Sequence, residues 1–92
     1  MAIETKKWDA SEYLDSPEMI REYLKAAFED GDPELITLSL GDVAKAQGMT
    51  DVAQKTGLSR QNLYKSLGGG QPPKFDTVKR VVEAIGYKLT IA

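Results

Sequence analysis

At 92 residues the chain has the length of one domain, near the lower end of what buries a self-sufficient core, so burial against a partner or a second copy is expected to add stability. It contains no cysteine and no histidine, which excludes disulfides, thiolate metal sites and the usual neutral-pH general base, and argues against catalysis, metal and cofactor alike. The formal net charge of -2 hides a division: residues 1–56 carry six basic against twelve acidic side chains, and residues 57–92 six basic against two acidic.

Such asymmetry points to two kinds of partner, one polyanionic and one basic. A chance distribution in a short chain is the plainer explanation. With no signal-peptide pattern and no apolar run approaching the ~20 residues of a bilayer span, a cytoplasmic chain without membrane contact is expected.

In chain order the punctuation is helical. Asp9 and Glu12 have the spacing of a capping box over a short turn at Ala10 to Leu14, with Trp8 placed as a hydrophobic staple. Ser16-Pro17 and Asp32-Pro33 each put a capping side chain before a proline at the first helical position, where its missing N–H costs nothing. The helix from Pro17 carries Ile20, Tyr23, Leu24, Ala27 and Phe28 in one apolar stripe and ends at Gly31. The helix from Pro33 carries Ile36, Leu40, Val43, Ala44 and Gln47 on one face, with Leu35 and Leu38 widening it, and ends at Gly48.

A short helix is expected from Met49 or Thr50 to Thr56, then a turn at Gly57, then a helix capped by Ser59 and ending near Gly68. After GGGQPPK, a fifth helix shows Phe75, Val78, Val81, Val82 and Ile85 at core spacing, and Lys79 and Arg80 are expected on its solvated face. In the tail, Tyr87, Leu89 and Ile91 alternate with Lys88 and Thr90, a strand pattern over residues 87–91. A lone strand needs a partner: the N-terminal segment, the same strand of a second copy, or another protein's sheet.

Residues 49–68 read as helix, turn, helix. Ala53 is the small residue at the crossing, Gly57 makes the left-handed turn, and Val52, Leu58 and Leu63 hold the helices at a fixed angle. The window VAQKTGLSRQNLY resembles the helix-turn-helix of phage-repressor-like, Xre/Cro-type regulators. Thr56 and Ser66 stand where an apolar residue is commoner, which predicts a looser contact between the helices.

Arg60, Gln61, Tyr64 and Lys65 project away from Leu63 and Leu67 and are the candidate base-reading side chains. Arg60 suits guanine O6 and N7, and Gln61 suits adenine N7 and N6. Packing against the following loop is nearly as good a reading for Tyr64. Thr50, Lys55, Ser59 and Lys74 are the candidate contacts to the DNA backbone. Few phosphates are reached by one such unit, so a homodimer on a pseudo-palindromic operator is expected, with Val81, Ile85, Tyr87, Leu89 and Ile91 as its candidate surface. Burial in the chain's own core competes with that last reading.

Beyond this window, the pieces WDASEYL, GDPELI, LGDVAKAQGM, TGLSRQNLYKSL and PKFDTVKRVVEAIGYKL resemble the HigA-like addiction module antidote family over nearly the whole chain from Trp8. The loop GGGQPP departs from the longer, Asn-Pro-bearing loop usual in that family. Taken with the residue patterns above, the expected fold is an all-α, five-helix phage-repressor-like domain spanning residues 1–92, with an acidic arm and first helix at 1–31, an additional N-terminal helical turn and a C-terminal β-strand. The resemblance also implies an antitoxin that represses its own operon and neutralises a RelE/ParE-superfamily toxin. Such a toxin is basic where it meets RNA, so Trp8, Asp9, Glu12, Tyr13, Asp15, Glu18 and Glu22 are the candidate toxin contacts, with Glu29 and Asp30 beyond them. A solvated acidic face is the alternative for those carboxylates. A regulator without a toxin partner, and an interaction module without DNA binding, are the competing functions.

Overall fold

The computed structural model of the chain describes residues 10–91. Within that range the regular structure is helical: a 3-10 turn at Ala10–Tyr13, then α1 (Pro17–Asp30), α2 (Pro33–Gln47), α3 (Met49–Thr56), α4 (Arg60–Ser66) and α5 (Phe75–Ala84). Side chains close three of the helix starts. Ser16 Oγ accepts from the Met19 N–H at 3.2 Å, Asp32 Oδ1 from the Glu34 N–H at 3.1 Å, and Ser59 Oγ from the Asn62 N–H at 3.0 Å. Each such cap contributes about 1 kcal/mol. Asp9 and Trp8, the expected capping-box residue and staple, lie outside the described residues.

The central element is α2, which packs against α1, α3, α5 and the 3-10 turn. Its buried arc is therefore wide, and it is rotated from the one expected: Thr37 and Ser39 join Leu40, Val43 and Ala44 inside, while Leu35 and Leu38 stand 39% exposed. Thr37 is tolerated there because its hydroxyl donates to the Pro33 carbonyl at 2.9 Å. Gln47 remains exposed, yet its amide donates to the Ile85 carbonyl at 3.1 Å and ties the end of α2 to the end of α5.

One apolar cluster runs through the chain, from Leu14, Ile20 and Leu24 through Leu40, Val43 and Val52 to Leu63, Leu67, Val81, Val82 and Ile85. The segment from Leu14 to Asp30 is thus part of the core and no appendage. Of the fifth helix's expected core residues, Phe75 is 71% exposed, because the first turn of α5 overhangs the cluster that Val81 and Val82 fill.

The C-terminal β-strand expected over residues 87–91 is not formed, and among the described residues there is no strand at all. At Gly86 (φ 103°) the chain turns, and the Tyr87 N–H bonds back to the Val82 carbonyl at 3.0 Å. Beyond it Tyr87 and Leu89 are half-buried against the core, while Lys88, Thr90 and Ile91 are exposed. Alternation specified two faces. A strand also needs a ladder partner, and no described segment supplies one.

Gly41 fixes how α4 sits on α2. A Cβ at this position would lie 3.0 Å from the Leu67 carbonyl oxygen and 3.2 Å from the Leu67 Cβ. An alanine in a helix interior normally gains roughly 1 kcal/mol over glycine. Gly41→Ala is predicted to lower stability instead, read as a fall in the urea midpoint, because it pushes the end of α4 off α2; a rise in the midpoint contradicts this packing.

Candidate functional site

The α3–turn–α4 unit is closed by the residue that sequence reasoning expected to loosen it. Thr56 is buried, its hydroxyl donates to the Ala53 carbonyl at 3.1 Å, and its oxygen accepts from the Leu58 N–H at 3.2 Å. Next to it Gly57 adopts φ 78°, a conformation that costs other L-residues about 1–2 kcal/mol, and its N–H donates to the Ala53 carbonyl at 3.0 Å.

From α5, the Arg80 Nη1 donates to the Thr56 carbonyl at 3.2 Å while its Nε pairs with Asp76 at 3.1 Å. A guanidinium thus sits at the C-terminal end of α3, where orphan carbonyls and the helix dipole favour positive charge. Arg80 is on the exposed face, as expected, and the bond to α3 is the part the sequence does not announce. Its i, i+4 partner Asp76 was visible in the sequence, whereas the carbonyl it reaches is 24 residues away and set by packing.

Seated in this way, α4 buries Leu63 and Leu67 and leaves Arg60, Gln61, Asn62, Tyr64 and Lys65 exposed. At helical spacing Gln61 and Lys65 share the side opposite Leu63, with Arg60 and Tyr64 along one flank and Asn62 along the other. Lys65 and Lys74 come together around a hollow of about 280 Å³ that Asn62, Gln71 and Thr77 also line. Tyr64 lines a separate hollow with Leu38, Leu67 and Gly68.

The other candidate backbone contacts differ in their commitments. Thr50 is exposed at the start of α3, Ser59 is occupied as the cap of α4, and Lys55 pairs with Asp51 at 3.2 Å on an exposed surface.

On the acidic side, Glu12, Tyr13, Asp15, Glu18 and Glu22 are exposed; Trp8 and Asp9 lie outside the described residues. Tyr13 and Glu22 meet at a hollow of about 380 Å³ with Leu14, Met19 and Tyr23. Met19, exposed on α1, was not singled out from the sequence; its offset from the apolar stripe was the available signal. The Tyr23 hydroxyl donates to Asp42 Oδ2 at 2.5 Å and binds α1 to α2. Of the candidate copy-to-copy residues, Val81 and Ile85 are buried in the chain's own core, Tyr87 and Leu89 are half-buried, and Ile91 is 97% exposed.

A small helical domain thus presents a basic, amide-bearing helix at its surface and an acidic helix elsewhere on the same core. The chain belongs to the probable addiction module antidote protein family, whose model matches residues 4–92. A protein of Haemophilus influenzae (strain Rd), described as uncharacterized, is 37% identical over 91 residues, covering 99% of this chain and 94% of that protein. No solved structure matches the chain. Among the described residues no helix is long and apolar enough to cross a membrane.

The two cations beside the turn should separate in a stability measurement. Arg80→Ala is predicted to cost about 1 kcal/mol in urea unfolding, through the lost hydrogen bond of a charged donor. Lys55→Ala, which removes an exposed ion pair, is predicted to change stability by less than about 0.5 kcal/mol.

Proposed function

We propose that this antidote-family chain neutralises a basic RelE/ParE-superfamily toxin and represses its own operon by placing α4 in the DNA major groove. The observation that carries the reading is the division of α4: burial of Leu63 and Leu67 on one side leaves Arg60, Gln61, Tyr64 and Lys65 exposed together. In this reading Arg60 donates two hydrogen bonds to one guanine, Gln61 brackets one adenine, and Lys65, Lys74 and Thr50 meet phosphates. For Lys55 to join them it must leave Asp51, a small cost for so exposed a pair. The negative total charge is no obstacle, since the field that DNA meets is the local one around α4 and Lys74.

Two copies on half-sites ~34 Å apart supply the phosphate contacts that one copy lacks. The second copy meets the chain at Ile91, with Tyr87 and Leu89 behind it; Val81 and Ile85 support that surface from within the core. The toxin is met by Glu18 and Glu22 along the crest of α1 and by Tyr13 beside the Met19 hollow, where carboxylates complement a basic RNA-binding face.

In a mobility-shift titration on the chain's own promoter, Arg60→Ala and Gln61→Ala are each predicted to weaken binding by about 5- to 150-fold, with relaxed preference at one base pair. Unchanged sequence preference in both variants contradicts the proposed readout. Deleting the chain up to Pro33 is no clean test of neutralisation, since it removes Leu14, Ile20 and Leu24 from the core. Charge reversal is cleaner: Glu18→Lys combined with Glu22→Lys is predicted to keep promoter binding and to lose protection of cells expressing the neighbouring toxin gene. Full protection by that variant overturns the toxin surface.

A further inference from the structure

A groove of about 510 Å³ lies between α1, the end of α5 and residues 87–90. Leu24, Val82 and Ile85 form its floor, and Phe28, 40% exposed, and Leu89 form its walls. Its rim is basic: Arg21, Lys25 and Lys88 line it, and no carboxylate does. Arg21 and Lys25 are the only basic residues of α1, and with Phe28 they run at i, i+4 and i+7 along one edge of that helix. Glu18, Glu22 and Glu29 follow a neighbouring line, so α1 carries an acidic crest and a basic, apolar edge side by side. None of the three rim cations forms an ion pair among the described residues.

We propose that this groove is a docking site for an acidic amphipathic segment of a partner protein, with apolar side chains on the floor and carboxylates on Arg21, Lys25 and Lys88. The charge selects this occupant. A second copy of the chain placed groove to groove brings six cations face to face with no anion between them, which disfavours a two-fold contact here. Duplex DNA matches the rim but has nothing to bury against Phe28 and Leu89. An acidic amphipathic segment satisfies rim and floor together, as in helix-in-groove recognition. The site is independent of the α4 surface and of the acidic crest; it shares Tyr87 and Leu89 with the backing of the copy-to-copy surface proposed at Ile91, but Ile91 itself does not line it, so the two surfaces adjoin without being one.

The test uses the full chain and two short fluorescent peptides, one with leucines at helical spacing separated by glutamates, the other with lysines in place of the glutamates. Anisotropy titration is expected to show the glutamate peptide binding at least about tenfold tighter, an advantage that shrinks as salt rises. Lys25→Glu combined with Lys88→Glu, both at exposed positions, is expected to invert that preference while the urea midpoint is unchanged. Phe28→Ala is expected to weaken both peptides. Equal binding of the two peptides, or a preference unmoved by charge reversal, overturns the proposal. Loss of concentration-dependent self-association on Lys25→Glu assigns the groove to a second copy, and displacement of the glutamate peptide by duplex DNA assigns it to nucleic acid; either result also overturns it.

Discussion

The burial of Leu63 and Leu67 is the interaction on which the candidate functional surface depends. α4 has seven residues, about two turns, far below the ~12–15 at which an isolated helix becomes even marginally stable in water. It is helical because Leu63 is wholly buried in the core cluster, because Ser59 caps its start, and because Gly41 leaves room for the Leu67 backbone against α2. The positions of Arg60, Gln61, Tyr64 and Lys65 are consequences of that packing. A helix this short has no register freedom once two leucines are seated, so the packing of its inward face sets which residues its outward face presents.

The same economy joins the two charged halves. α1 delivers Ile20, Leu24 and Ala27 to the core that Leu63 completes, and Tyr23 fastens it to Asp42 of α2. Arg80 then fastens α5 to the last carbonyl of α3. The acidic crest and the basic helix are therefore two surfaces of one body, carried by different helices, and a change to exposed side chains on one need not disturb the other. A chain of net charge -2 thus presents a basic helix on one surface and an acidic crest on another, which is what the proposed function requires of it.

Local chemistry was the legible part of the sequence. Ser16, Asp32 and Ser59 marked helix starts, and Gly31, Gly48 and Gly57 marked helix ends, because caps and left-handed turns act over three or four residues. Less legible was anything set by a distant neighbour. Periodicity gave α2 an apolar face but not the arc that four packed neighbours impose, so Leu35 and Leu38 were misplaced and Thr37 was missed. Phe75 fitted the period of α5, yet the first turn of that helix reaches past the core. Tyr87, Leu89 and Ile91 alternated as a strand does, but pairing depends on a second segment that residues 87–91 do not encode. Arg80 and the cationic groove were invisible for the same reason: each is assembled from residues far apart in the chain.

The measurement that bears most directly on this account is an amide chemical-shift titration of the isotopically labelled chain with duplex DNA from upstream of its own gene. If α4 is the reading element, the shifts concentrate at residues 59–66 and at Thr50, Lys55 and Lys74, leaving residues 17–30 of α1 unmoved. Shifts centred on α1, or an unperturbed α4 in a chain that still binds the duplex, would contradict it.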